Sequence, residues 1–134
     1  MSEAEMWRAI RPELKGLDPV RIESVVGSGV PDVNYVHGWI ELKYEHEWPK
    51  RGGPLRLKRY TKEQKAWAIR REAAGGRVFL LLKVGETEWL LFRGSVAARV
   101  LGKQPREVLY QHVSARWLRK PRGSELSKHL VPLT

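Results

Sequence analysis

Apolar and polar residues recur at helical spacing in the first part of the chain and at strand spacing after it. Residues 3–14 carry an apolar stripe, and Ser2 and Glu5 are spaced as a capping box. This pattern predicts a first helix, ended by Gly16. The β-branched run at residues 20–26 then predicts the first strand.

The next residues predict a hairpin and then a loop. Residues 33–36 and 39–44 have the composition of strands, and His37 with Gly38 between them predicts a two-residue turn. Residues 50–57 are rich in glycine, proline and arginine, which is typical of a loop. The second hairpin strand is therefore expected to lead into a long connection.

The middle of the chain predicts a second helix and two more strands. Residues 61–74 form the helix, with Thr61 and Gln64 in capping-box positions and a glycine pair after its end. Residues 77–84 and 88–93 predict strands. The first of these is nearly all apolar, which indicates burial on both faces.

Beyond Gly94 the periodicity is weaker. Short helices are predicted over residues 95–101, 106–118 and 124–130. The resulting order, αβββαββ with a short helical C-terminal tail, is typical of an α/β domain in which helices flank a central mixed sheet.

The length and composition bound the class of protein. A chain of 134 residues favours one domain, and we expect a core over about residues 2–93 with a C-terminal extension over residues 94–134. No apolar run is long enough for a membrane helix, the N-terminal residues do not form a signal peptide, and cysteine is absent. These features predict a cytoplasmic protein with no membrane partner and exclude a cysteine zinc site.

Most of the positive charge lies in one stretch. The net charge is +10, and residues 50–77 contain ten lysines and arginines against two acids. A polyanion is the expected partner, because cations that neutralise phosphates release condensed counterions. A solvated basic face that only aids solubility is the alternative. We call residues 48–65, WPKRGGPLRLKRYTKEQK, the basic segment.

Two acids and a lysine interrupt this basic background. Asp32 precedes the predicted hairpin, and Glu41 and Lys43 point to the same side of its second strand. Neighbouring carboxylates repel and are costly to desolvate, so a hard divalent cation stabilises them. Mg²⁺ takes one or two carboxylates, and a lysine beside it can orient or deprotonate an attacking water. The alternative is a half-exposed strand face with Asp32 as a turn residue.

These residues resemble the motif of a known superfamily. Asp32 within SGVPDV, followed by IELK, a glutamine in the next helix and GGRVFLLLKV, resembles the PD-(D/E)XK nucleases over about residues 2–93. The similarity is greatest to the VRR-NUC group and the archaeal-type Holliday junction resolvases. The resemblance implies a restriction-endonuclease-like core in which Asp32 and Glu41 bind Mg²⁺, with Mn²⁺ as a substitute, and Lys43 serves the water.

Members of these groups often add an acid from the first helix. The resemblance makes Glu3 the favoured candidate, because it shares the apolar stripe of that helix, while Glu5 is expected to close the capping box. Glu23 is a third candidate. The predicted metal site also includes the backbone carbonyl of Leu42. Gln64 matches a glutamine at the mouth of the site in related nucleases, and its alternative role is the cap of Thr61.

The basic segment is expected to contact DNA. Its Trp48 and Tyr60 are available to stack on bases, or they pack in the ordinary way. A second basic group, at residues 116–122, would extend the track. The predicted DNA-binding residues are Lys50, Arg51, Arg56, Lys58, Arg59, Lys62 and Lys65.

The resemblance favours an endonuclease that acts in DNA recombination. The preferred substrate is the four-way Holliday junction, cut by a homodimer because two opposed strands must be cleaved. A nuclease for flaps, nicks or single strands is the alternative within this class. A non-catalytic nucleic-acid-binding module, in which the acids are structural, is the alternative outside it.

Overall fold

The computed structural model describes residues 1–23 and 29–133. Along this part of the chain a helix is followed by three strands, a helix, two strands, two helices, a strand and a last helix, and a 3-10 helix (Arg11–Leu17) follows the first helix directly. The helices are α1 (Glu3–Ile10), α2 (Lys62–Ala73), α3 (Gly94–Val100), α4 (Arg106–His112) and α5 (Gly123–Leu130), and the strands are β1 (Val20–Arg21), β2 (Val33–Tyr35), β3 (Gly38–Glu45), β4 (Val78–Val84), β5 (Glu88–Arg93) and β6 (Ala115–Trp117).

The described strands form one mixed sheet in the order β1-β2-β3-β4-β5-β6. Strands β3 and β4 are parallel, and every other neighbouring pair is antiparallel. A parallel pair needs a crossover connection, and α2 provides it here. The basic segment starts close to the end of β3 and continues into the first turn of α2.

Helices cover both faces of the sheet. On one face, Met6 and Ile10 of α1 and Leu126 of α5 pack against Ile40 and Leu81 of the central strands. On the other face, the α2, α3 and α4 helices pack against the remaining side chains of β4 and β5. Strand β4 is buried along its whole length, as its apolar sequence predicts. The predicted α/β domain with a helix-flanked mixed sheet is confirmed. Within the described ranges, no helix is long and apolar enough to cross a membrane.

The first two predicted elements are shorter than expected. The α-helical part of the first helix ends at Ile10, because Pro12 lacks a backbone donor and clashes with the preceding turn of an α-helix. The chain continues as a 3-10 helix. Of the predicted strand at residues 20–26, Val20–Arg21 are in the sheet and the described residues 22 and 23 are not, while residues 24–26 lie outside the described residues.

The hairpin turn lies one residue earlier than predicted. Tyr35 pairs with Gly38, so Val36 and His37 form the turn and Gly38 begins β3. The reason is a close backbone approach, because a Cβ at Gly38 would lie 2.3 Å from the carbonyl oxygen of Arg77. The glycine allows this close approach to Arg77, which precedes β4. The prediction of a His37–Gly38 turn is therefore wrong.

The C-terminal residues add a strand that the sequence pattern does not predict. The helix expected over residues 106–118 ends at His112, and Ala115–Trp117 instead form β6, which pairs with β5. The helix stops where the backbone of Val113 becomes extended. The α5 helix returns to the core through Leu126 and Leu130. The tail is therefore part of the sheet and of its core.

Candidate active site

Asp32 lies where β2 and β3 separate. The ladder between these strands reaches Val33 and Ile40, and Asp32 is one residue beyond it. Its Oδ2 accepts a hydrogen bond from the backbone N–H of Leu42 at 2.9 Å. The side chain thus replaces a backbone partner in the ladder, and this bond fixes the carboxylate beside the middle of β3.

Glu41 and Lys43 are buried on the face of β3 that α2 covers. Glu41 is 5% exposed and Lys43 is 4% exposed. The idea that they form the solvent side of a half-exposed strand is therefore wrong. Lys43 Nζ lies 3.0 Å from Glu41 Oε2 and donates a hydrogen bond to the carbonyl oxygen of Arg59 at 2.9 Å. The lysine is thereby held between the buried acid and the basic segment.

Glu3 reaches the same place from the first residue of α1. Carboxylate oxygens of Glu3, Asp32 and Glu41 all lie within 4.8 Å of one another. Three separate elements bring these acids together, and we call them the acidic cluster. Glu5 and Glu23 are exposed and lie outside it. The backbone N–H of Glu5 instead donates to Ser2 Oγ at 3.2 Å, which caps α1.

The acidic cluster is electrostatically strained. Burial and the charge of Asp32 raise the pKa of Glu41 to about 8, although Lys43 acts in the opposite direction. Burial also raises the pKa of Glu3, with Lys43 and Arg59 lowering it and Asp32 raising it further. In addition, Glu41 Oε1 is buried without a hydrogen-bond partner within the described part of the chain. An unpartnered buried oxygen among carboxylates is destabilising unless a cation binds it.

The chemistry of this donor set fits a hard divalent cation. Three carboxylates offer oxygen ligands only, as Mg²⁺ and Mn²⁺ prefer. Asp32 and Glu41 would hold the ion from the sheet, and Glu3 would hold it from α1. The backbone carbonyl of Leu42 stays a prediction as a further ligand.

Gln64 caps α2 and also contacts Glu41. Its backbone N–H donates to Thr61 Oγ1 and its Oε1 accepts from the Thr61 N–H, which completes the predicted capping box. Its Nε2 also donates to Glu41 Oε2 at 3.2 Å. The cap therefore fixes the amide that contacts the buried acid.

The pKa of Glu41 gives a test in the absence of metal. Between its ordinary value of 4.5 and about 8, the folded protein holds a proton that the unfolded chain has lost. Glu41 therefore lowers the free energy of unfolding as the pH rises through this range. In EDTA, we expect Glu41→Gln to be near neutral at pH 4.5 and stabilising by about 2–4 kcal/mol at pH 9, since one pKa unit corresponds to roughly 1.4 kcal/mol.

Urea unfolding at both pH values measures this difference. Glu47→Gln is the matched control, because Glu47 is exposed and lies outside the acidic cluster. The control should change stability equally little at the two pH values. An equal effect of Glu41→Gln at pH 4.5 and pH 9 would contradict the raised pKa.

The basic segment lies beside the acidic cluster. Tyr60 is half-buried, and its ring centroid is 5.8 Å from Lys43 Nζ and 5.1 Å from Lys65 Nζ. Burial, together with the negative charge of Glu41, raises the pKa of the Tyr60 hydroxyl. Apart from Lys65, the predicted DNA-binding side chains are solvent-exposed: Lys50, Arg51, Arg56, Lys58, Arg59 and Lys62.

The aromatic and C-terminal basic residues are more engaged than the sequence indicates. Trp48 Nε1 donates to Glu88 Oε1 at 2.8 Å, and Trp48 packs edge-on against Tyr110, which favours ordinary packing over stacking on bases. Most of the second basic group forms ion pairs with acids on the protein, namely Arg116 with Glu88, Arg119 with Glu125 and Lys120 with Glu13.

One contact in the candidate site could not be predicted from the sequence. The carbonyl oxygen of Arg59 holds Lys43 across sixteen residues of chain, and a backbone carbonyl carries no residue-type pattern. The predicted positions of Asp32, Glu41, Lys43 and Glu3 are nevertheless brought together.

Comparison with known proteins shows a distant structural likeness. The sequence matches no protein-family model and no curated protein. Among solved structures, the fold is similar to that of Archaeoglobus fulgidus Hjc, a Holliday junction resolvase from an archaeal hyperthermophile, with a TM-score of 0.44 and 12% sequence identity over 70% of this chain and 75% of that chain. At this level of similarity the likeness assigns neither an activity nor a substrate to this chain.

Proposed function

We propose that this protein is a metal-dependent endonuclease that hydrolyses phosphodiester bonds in branched DNA, with the four-way junction as its preferred substrate. The observation that supports this proposal is the acidic cluster itself. Three carboxylates within 4.8 Å of one another have a buried lysine 3.0 Å from Glu41 and an exposed run of cations beside them.

The proposed roles follow from the positions of the side chains. Glu3, Asp32 and Glu41 would hold Mg²⁺ or Mn²⁺, which when bound would supply Lewis acidity. Two of the three donors of Lys43 are directed to Glu41 and Arg59, so its remaining N–H is available to orient the attacking water. As the resemblance to the PD-(D/E)XK nucleases implies, the water oxygen bonds to phosphorus as the water gives up a proton, the bond from phosphorus to the 3′ oxygen breaks, and a proton is returned to that oxygen, which leaves a 5′-phosphate and a 3′-hydroxyl.

The basic segment would bind the DNA backbone. Its exposed lysines and arginines contact phosphates, which gives affinity and salt dependence without sequence readout. A junction has two symmetry-related strands to cut, and we propose that a homodimer presents two sites to it.

A substrate panel tests this proposal. The purified protein is incubated in Mg²⁺ or Mn²⁺ with labelled four-way junction, flap, nicked duplex, single strand and linear duplex of matched sequence. We expect the junction to be cut at least about tenfold faster than linear duplex, a discrimination of about 1.4 kcal/mol. No cutting is expected in EDTA.

Other outcomes would reassign the function. Faster cutting of flaps, nicks or single strands would replace the junction by that substrate within the same class. Equal cutting of all substrates would contradict structure selectivity. DNA binding without cutting in either metal would contradict the nuclease and favour a binding module in which the acidic cluster is structural.

A further inference from the structure

Glu88, the first residue of β5, is a second buried carboxylate and lies outside the acidic cluster. It is 6% exposed. Its oxygens accept hydrogen bonds from Trp48 Nε1 at 2.8 Å, the Tyr110 hydroxyl at 2.6 Å, Arg116 Nε at 2.6 Å and Arg106 Nη2 at 3.3 Å. Burial raises the pKa of Glu88, but the hydrogen bonds from Tyr110, Arg116 and Trp48 lower it below its ordinary value. These donors stabilise the buried carboxylate.

The four donors join separate parts of the chain. Tyr110 and Arg106 belong to α4, Arg116 belongs to β6, and Trp48 is the first residue of the basic segment. The Arg106 guanidinium also lies over the Trp48 ring at 4.8 Å from its centroid. Glu88 thus connects the start of the basic segment to the C-terminal part of the fold, whose contribution the sequence alone does not indicate.

Two more contacts hold the basic segment further along. Pro54 forms a bridge with Pro105, the residue before α4, and Leu55 is buried in the core beneath α3 and α4. The carbonyl oxygen of Arg59 accepts from Lys43. The connection between β3 and α2 is long and has no helix or strand of its own, so ordering it costs conformational entropy that contacts of this kind offset.

We propose that Glu88 is a positioning residue for DNA binding, which holds Trp48 and thereby fixes the course of the basic segment next to the acidic cluster. This inference rests on the proposed function. A segment that is already ordered loses less conformational entropy when it binds DNA. Its lysines and arginines therefore bind the phosphates at a lower free-energy cost. Glu88 acts through Trp48 and touches no substrate.

The sign of the effect separates positioning from simple electrostatics. Glu88→Gln raises the net charge from +10 to +11, and added positive charge alone strengthens attraction to DNA. Loss of positioning weakens binding instead. Trp48→Phe removes the indole donor, keeps the ring and leaves the net charge unchanged.

Binding to a four-way junction in EDTA, measured by fluorescence anisotropy at several salt concentrations, tests the proposal. We expect Glu88→Gln to weaken affinity roughly tenfold and Trp48→Phe roughly threefold, with a shallower salt dependence because fewer cations are held against phosphates together. An unchanged or tighter affinity of Glu88→Gln would overturn the proposal.

Glu72→Gln is the matched control. Glu72 also has a largely buried side chain, accepts hydrogen bonds from the backbone N–H and hydroxyl of Ser95, and pairs with Arg93. It lies on α2 beyond the basic segment, and its substitution adds the same positive charge. We expect unchanged or tighter binding. A loss equal to that of Glu88→Gln would assign the effect to general destabilisation and overturn the proposal.

Limited trypsin digestion tests positioning without DNA. Cleavage after Lys50, Arg51 and Arg56 should be several-fold faster in Glu88→Gln and Trp48→Phe than in the wild type, while cleavage after Arg99 and Lys103, outside the segment, stays unchanged. Unchanged cleavage throughout, or equal acceleration at all sites, would overturn the proposal. If the wild type binds no DNA, the proposed function fails, and digestion still decides whether Glu88 holds the segment.

Discussion

Asp32→Asn is expected to slow DNA cleavage by about a thousandfold or more, a loss of roughly 4 kcal/mol of transition-state stabilisation. Asparagine keeps an oxygen that can accept the backbone N–H of Leu42, so the separation of β2 and β3 is preserved. It removes one negative charge from the acidic cluster, and a neutral amide is a weaker ligand for a hard divalent cation. Single-turnover cleavage of a labelled junction measures the effect.

Asp18→Asn is the matched control for this change. Asp18 is exposed, lies outside the acidic cluster and has a backbone φ of 51°, a conformation that asparagine also adopts readily. The control should cut at the wild-type rate. Binding of DNA in EDTA should be nearly unchanged in both variants. Wild-type cleavage by Asp32→Asn would remove Asp32 from the proposed site.

Lys43→Met is expected to slow cleavage by at least about a hundredfold, or roughly 2.7 kcal/mol, but to leave Mn²⁺ binding intact. Methionine retains an unbranched side chain for the buried position and loses the ammonium group that would orient the water. Because Lys43 places a positive charge 3.0 Å from Glu41 Oε2, its removal should not weaken binding of a cation. Mn²⁺ titration and single-turnover cleavage on the same samples separate the two effects.

Lys83→Met is the matched control for Lys43→Met. Lys83 is also buried in a central strand, where its Nζ lies 5.1 Å from the centroid of the Trp89 ring. Within the described part of the chain, Lys83 makes no contact with the acidic cluster. We expect wild-type cleavage from this variant. Loss of Mn²⁺ binding together with cleavage in Lys43→Met would show that the lysine maintains the metal site and would contradict its role with the water.

The central residues of the candidate site could be predicted because local rules determine their placement. Glu41 and Lys43 share a face of β3 through strand alternation, whatever the rest of the fold does. Glu3 follows from the apolar stripe of α1, which places it toward the sheet. The capping box of Thr61 and Gln64 is equally local. Short-range periodicity therefore indicates the faces on which Glu41, Lys43 and Glu3 lie, and the resemblance to the PD-(D/E)XK nucleases implies that Glu41 and Glu3 meet Asp32.

The parts that the sequence pattern does not predict depend on contacts between distant residues. Ala115–Trp117 become a strand because the edge of β5 is available to pair with them, although their residue types also suit a helix. Gly38 begins β3 because of its approach to Arg77. The burial of Glu88 depends on donors from 18 to 40 residues away along the chain. Propensity and periodicity carry no information about such partners.

The location of a bound metal ion tests the central claim most directly. A crystal of the protein soaked in Mn²⁺ would show the ion by its anomalous scattering. We predict one strong anomalous peak within about 2.0–2.5 Å of carboxylate oxygens of Asp32 and Glu41, with Glu3 bound directly or through water. Occupied Mn²⁺ sites elsewhere, with none between Asp32 and Glu41, would contradict the account.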